Sequence, residues 1–137
     1  MPKEIIKTSG KAPGPKNMIR PFSAGVIAGD FIFVSGFHGG GSNPQTGEKY
    51  DTIESQTSQC LEKIKQVLEA AGASMEDAVK CTVFIDSADH FDRMNAAYEA
   101  YFQHDPPARS AVVTQFIRPG MLIQIDCVAY HPVKKRE

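Results

Sequence analysis

The sequence predicts an α+β fold, a sheet of five or six strands with two helices on one of its faces. Three observations carry that reading. Short runs rich in Val, Ile, Phe and Thr recur at strand length. Two stretches, one after residue 51 and one after residue 90, repeat apolar residues at helical spacing. Two helices cannot cover both faces of so wide a sheet, so both are expected on one face. The other face then needs a partner, and further copies of the same chain are the simplest supply.

The elements follow in the order β-β-α-β-α-β-β. Residues 10–21 are rich in Pro and Gly and read as an irregular arm. Val26-Ile27 and Phe31-Ile32-Phe33-Val34 flank Gly29-Asp30, the signal of a hairpin. Ser35-Gly36 ends the second run, and Asn43-Pro44-Gln45-Thr46-Gly47 has turn composition. Asp51, with Glu54 three residues later, predicts a capping box at the start of the first helix. Cys60, Leu61, Ile64, Val67, Leu68 and Ala71 then recur at i, i+3/i+4 until Gly72 stops the helix. Residues 78–85 read as a strand. Phe91, Met94, Ala97, Tyr98, Tyr101 and Phe102 give a second amphipathic helix, ended by Asp105-Pro106-Pro107. Two last strands are expected over 110–115 and 122–130. In the second, Leu122, Gln124 and Asp126 alternate against Ile123, Ile125 and Cys127.

The 137 residues suit one domain spanning 1–137. A net charge of -1 argues against nucleic acid as the partner, since such surfaces are normally basic. No apolar run nears the roughly 20 residues of a membrane span, so no membrane association is expected. The first residues hold no apolar segment of a secretory signal, which makes the cytoplasm the expected location. Three widely spaced cysteines without C-x-x-C fit small core residues in a reducing compartment. His38, His90, His104 and His131 form no metal-ligand pattern. His38-Gly39-Gly40-Gly41 resembles an esterase oxyanion loop, but no G-x-S-x-G accompanies it. It reads as a flexible hairpin loop.

Arg109 is the informative residue. It follows the helix-ending prolines in Pro106-Pro107-Ala108-Arg109-Ser110, at the mouth of a strand. A guanidinium on so rigid a platform can grip a carboxylate with two parallel hydrogen bonds.

Around it, many short pieces stand in one order. They are Arg20-Pro21-Phe22-Ser23, Phe33-Val34-Ser35-Gly36, Asn43 through Glu48, Gln56-Thr57 with Leu61, and Ala70-Ala71-Gly72. Val79 through Phe84, Met94-Asn95-Ala96-Ala97-Tyr98 with Phe102, and Pro107-Ala108-Arg109-Ser110 complete the set. Over residues 18–130 the chain resembles the Rid family of reactive intermediate deaminases, formerly called YjgF. The resemblance implies a chorismate-mutase-like fold and a homotrimer with sites in the clefts between subunits. It also implies hydrolysis of enamines and imines such as 2-aminoacrylate to 2-keto acids and ammonia, without metal or organic cofactor. In that picture Arg109 binds the substrate carboxylate. Backbone groups near Ser35, Gly36, Phe37 and Ala111 shape the pocket, and Asn95 and Tyr98 line or support it.

The chain departs from the family pattern at three positions. Many members carry Glu fifteen residues after the arginine, where it positions the attacking water, and this chain has Gln124. An amide holds water but does not exchange a proton near neutral pH. Asp126, two residues on and on the same strand face, either takes the carboxylate role or is a plain interfacial acid. Phe22 stands where Tyr is frequent, without the hydroxyl, and Ala111 where Cys is frequent. The alternative reading is a non-catalytic, carboxylate-binding or chaperone-like trimer.

Overall fold

A computed structural model of the chain describes residues 2–7, 21–132 and 134. Most of the expected irregular arm lies outside the described residues. Six strands form one sheet: β1 (Glu4–Ile5), β2 (Gly25–Ala28), β3 (Phe31–His38), β4 (Ala78–Ile85), β5 (Ala108–Val113) and β6 (Ile123–Tyr130). Their order is β1-β2-β3-β6-β4-β5, antiparallel throughout except for the parallel β4–β5 pair. Two helices, α1 (Ile53–Ala70) and α2 (Phe91–Glu99), cover one face. This is the expected α+β architecture, with one short strand, β1, that sequence patterning did not show.

Alternation along β6 explains the layering. Ile123, Ile125, Cys127 and Ala129 are buried under the helices with Ile32, Val34, Cys81, Val83 and Ile85 of the neighbouring strands. From the helices come Cys60, Leu61, Ile64, Leu68 and Met94, all fully buried. Removing side chains of this size from water stabilises the fold by roughly 1.5–3 kcal/mol each. The three cysteines are core residues, and burial pushes the Cys60 thiol up to about 12.

Local corrections have local causes. The α1 capping box is Thr52 with Ser55, not Asp51 with Glu54. The Thr52 hydroxyl accepts the Ser55 N–H at 3.1 Å, and the Ser55 hydroxyl accepts the Thr52 N–H at 3.2 Å. Glu54 instead pairs with Arg93 of α2 at 2.7 Å. At the other end Gly72, at φ 82, lets Ala73 N–H reach back to the Leu68 carbonyl, which closes the helix. β3 does not stop at Ser35-Gly36 but runs through a bulge to His38, because Phe37 and His38 find partners on β6. β5 begins two residues earlier than expected, and α2 ends at Glu99, six residues before the left-handed Asp105.

Candidate functional site

Arg109 is the second residue of β5, cross-strand from Cys81 of β4, whose partner on β6 is Cys127. Both cysteines are buried, so this row of residues faces the helices. α2 meets it with Phe91, Asn95 and Tyr98, spaced i, i+4, i+7 and therefore on one stripe. The Arg109 guanidinium donates to Asn95 Oδ1 at 2.7 Å. Its carbon lies 4.9 Å from the centre of the Tyr98 ring and 5.6 Å from that of Phe91. Each such cation–π contact contributes roughly 0.5–2 kcal/mol, more where water is excluded.

One hydrogen bond to Asn95 leaves most of the five guanidinium N–H groups for a ligand. Beside them is a hollow of about 800 Å³ lined by Asn95, Tyr98, Glu99, Phe102, Pro107 and Arg109. That volume suits a small molecule. Burial, ahead of the effect of the Cys81 thiol, holds the Tyr98 phenol above its usual range. It therefore stays neutral and acts as a ring wall. Ala111 lies two residues beyond Arg109 on the same side of β5.

Gln124 and Asp126 stand on the other face of the sheet. Gln124 is paired with His38 of β3 and Phe84 of β4, and Asp126 with Thr82. Asp126 Oδ1 accepts the Thr82 N–H at 3.2 Å. The Gln124 amide lies over Gly36 so closely that any Cβ there would collide with it. Ser35 and Phe37 flank Gly36 in the bulge; the Ser35 hydroxyl donates to the Ser23 carbonyl, and Phe37 packs on the core. Phe22 is exposed at the start of this segment. Within one chain the expected site residues thus form two groups. Arg109, Asn95, Tyr98 and Ala111 gather on the helix side, while Gln124, Asp126 and Gly36 gather on the open side.

Gln56 holds the segments that flank the open-side group, a role that the sequence reading did not assign. It is buried in the first turns of α1. Its Nε2 donates to the carbonyls of Tyr50 and Gly120, and its Oε1 accepts the Leu122 N–H, all at 2.9 Å. Gly39 lies so flat on the Gln56 backbone that no side chain fits there. One side chain pins the segments before α1 and before β6, and its backbone seats the glycine loop after β3. That loop is therefore a packed element and not a flexible one. Among the described residues no cluster of three His, Cys, Asp or Glu could hold a metal ion. No described helix is long and apolar enough to cross a membrane.

Comparison with known proteins agrees with this fold. The family described as endoribonuclease L-PSP matches residues 10–131. A RutC family protein of Pyrococcus abyssi is 42% identical over 132 residues, which are 95% of this chain and 98% of the relative. A 2-iminobutanoate/2-iminopropanoate deaminase of Escherichia coli is 38% identical over 114 residues, 81% of this chain and 88% of the relative. A solved Rid-family protein of unknown function, YyfA of Yersinia pestis, superposes with a TM-score of 0.80 at 33% identity, over 94% of this chain and 99% of that one. The chain belongs to the endoribonuclease L-PSP family, the group of Rid-type proteins. That family includes a protein named as an imino-acid deaminase.

Proposed function

We propose that this protein hydrolyses small 2-enamino and 2-imino acids, of the 2-aminoacrylate kind, to 2-keto acids and ammonia. The observation that carries the reading is Arg109, held by Asn95 between two aromatic rings with donors left for a carboxylate. The relative named as a 2-iminobutanoate/2-iminopropanoate deaminase supports it. An enamine protonated on carbon becomes an imine, water adds to C=N, and ammonia leaves. The protein need only orient the anion and place a water, and proximity with fixed charge supplies much of the acceleration.

The site is completed between subunits of a homotrimer with a chorismate-mutase-like arrangement. Two features support this part of the reading. Arg109 and Gln124 lie on opposite faces of one sheet, so no single chain brings them together. The open face also presents Phe31, Phe33, Val112 and Tyr130, each more than two-fifths exposed. Phe22 and the bulge at Ser35-Gly36-Phe37 then border the substrate together with Ala111 of a neighbouring copy. No cofactor is required by this chemistry, and the place of such an enzyme is the removal of reactive metabolites in the cytoplasm.

The test is hydrolysis of 2-iminopropanoate made in situ by an amino-acid oxidase, with wild type and Arg109→Ala side by side. Acceleration by the wild type and a loss of at least about 100-fold in the variant are expected, the size of one lost charge-assisted grip. Equal rates in both would sink the role of Arg109. Gln124 in place of the usual glutamate favours a second reading, capture of a carboxylate without turnover. Binding of 2-oxobutanoate with no hydrolysis above background would establish that one.

A further inference from the structure

We propose that His38 is the proton-exchanging group of the Gln124 half of the site, the part that an amide cannot play. The inference rests on the deaminase reading above. His38 ends β3 directly across from Gln124 of β6, on the same face of the sheet. Directly paired residues of this kind have Cβ atoms about 5 Å apart. A water held by the Gln124 amide is therefore within reach of the imidazole.

The backbone that carries the ring is fixed. The His38 carbonyl accepts from Lys63 Nζ of α1 at 2.7 Å, and Gly39 is seated against Gln56. Nδ1 accepts the Gly40 N–H at 3.3 Å, so in the neutral ring the proton sits on Nε2. That bond is long and readily given up. The imidazole then offers a donor at Nε2 and an acceptor at Nδ1, which is what addition and elimination at C=N require.

The charged groups facing this position are Lys63 from α1 and Arg118 from the β5–β6 connection, with Asp126 farther along β6 on the same sheet face. Burial, then Lys63, then Arg118 hold the His38 pKa below its ordinary 6.5. The ring is thus neutral at pH 7 and free to accept a proton. The two cations also favour an anionic substrate on this side.

The step balances. Water oxygen bonds to the iminium carbon, the C=N pair moves to nitrogen, and the water proton goes to His38, giving a carbinolamine and an imidazolium. The imidazolium returns that proton to nitrogen, and the C–N bond breaks as the hydroxyl oxygen forms C=O. Ammonia carries off the hydroxyl proton as ammonium, and His38 is again neutral.

With 2-iminopropanoate as the probe, wild type is expected to lose kcat on the acid side with a midpoint below pH 6.5. His38→Gln should lower kcat at pH 7.5 by about 100-fold, the usual scale of a proton-transfer group, and flatten the acid limb. Binding of the product analogue 2-oxobutanoate should be unchanged by calorimetry, which also reports that the variant is folded. Adding Gln124→Glu to His38→Gln should recover at least about tenfold, since a carboxylate restores proton exchange at the same water. A His38→Gln enzyme with wild-type rate and acid limb, while Arg109→Ala is inactive, overturns this inference and leaves the deaminase reading standing. A wild type without hydrolysis overturns both.

Discussion

The two faces of the sheet are built from the same strands and do opposite things. On the helix side, Ile32, Cys81, Val83, Ile123, Ile125 and Cys127 are sealed from water, and Arg109 sits at the edge of that core with its charge spread over two rings. On the open side, Phe31 and Tyr130 meet edge to face at 5.4 Å, and with Phe33 they remain partly exposed on the same face as Gln124 and Asp126. A polar residue on the helix side must bring its own partners, as Arg109 does with Asn95 and as Gln56 does with three backbone groups. On the open side polar groups also find partners, Asp126 with the Thr82 N–H and Lys80 with Ser110, but they alternate with large apolar side chains left partly exposed. The difference teaches that the helix side is finished within one chain, whereas the open side keeps large apolar side chains partly exposed, as the proposed trimer requires.

That contrast can be broken from either side. Phe33→Glu should have the largest effect, because it buries a charge in the proposed intersubunit face. Sedimentation should show loss of the proposed trimer, with helical circular dichroism kept and imine hydrolysis gone. A variant that stays trimeric would place the interface elsewhere. Arg109→Lys comes next. A point charge cannot replace the planar fork, so kcat/KM should fall about 10- to 100-fold with assembly intact.

Gln56→Leu tests the clamp that joins α1 to the segments before α1 and before β6. It leaves the carbonyls of Tyr50 and Gly120 and the Leu122 N–H without their partner, at roughly 1–3 kcal/mol for each group that stays buried. Denaturant unfolding should show a loss of about 3 kcal/mol, and a loss below about 1 kcal/mol would mean that water replaces the amide. Thr52→Ala removes the α1 cap and should cost about 1 kcal/mol with unchanged activity. The smallest effect concerns Cys60, whose thiol burial raises from its ordinary 9.0 to about 12. A group whose folded pKa is raised contributes its stability fully below its unfolded pKa and loses it as pH climbs toward the folded one. The unfolding midpoint should therefore decline above pH 9, and less steeply in Cys60→Ala.

Elements defined by neighbours in sequence were legible in advance. Residues 78–85 read as a strand because β-branched residues and aromatics cluster there, and β4 occupies Ala78–Ile85. Gly72 marked the end of α1 because the closing turn needs a positive φ. The hairpin around Gly29-Asp30 was written in turn chemistry. Alternation likewise put Gln124 and Asp126 on one face of β6. Harder to read were choices between near-equal local options. Thr52 and Asp51 are both good caps, and only the Ser55 hydroxyl and the pull of Arg93 on Glu54 separate them.

The sequence by itself determined the α+β pattern, the cores of the strands and helices, and Arg109 as the residue to watch, because each depends on local period, turn chemistry or residue type. Only the tertiary structure decided which face Arg109 joins. That depends on β4 pairing parallel with β5 and antiparallel with β6, contacts made across 28 or more residues of chain. The same long-range pairing set His38 opposite Gln124 and brought the three segments around Gln56 together. Apart from Tyr50, six residues before Gln56, the partners of those contacts lie too far apart for any local pattern to join them.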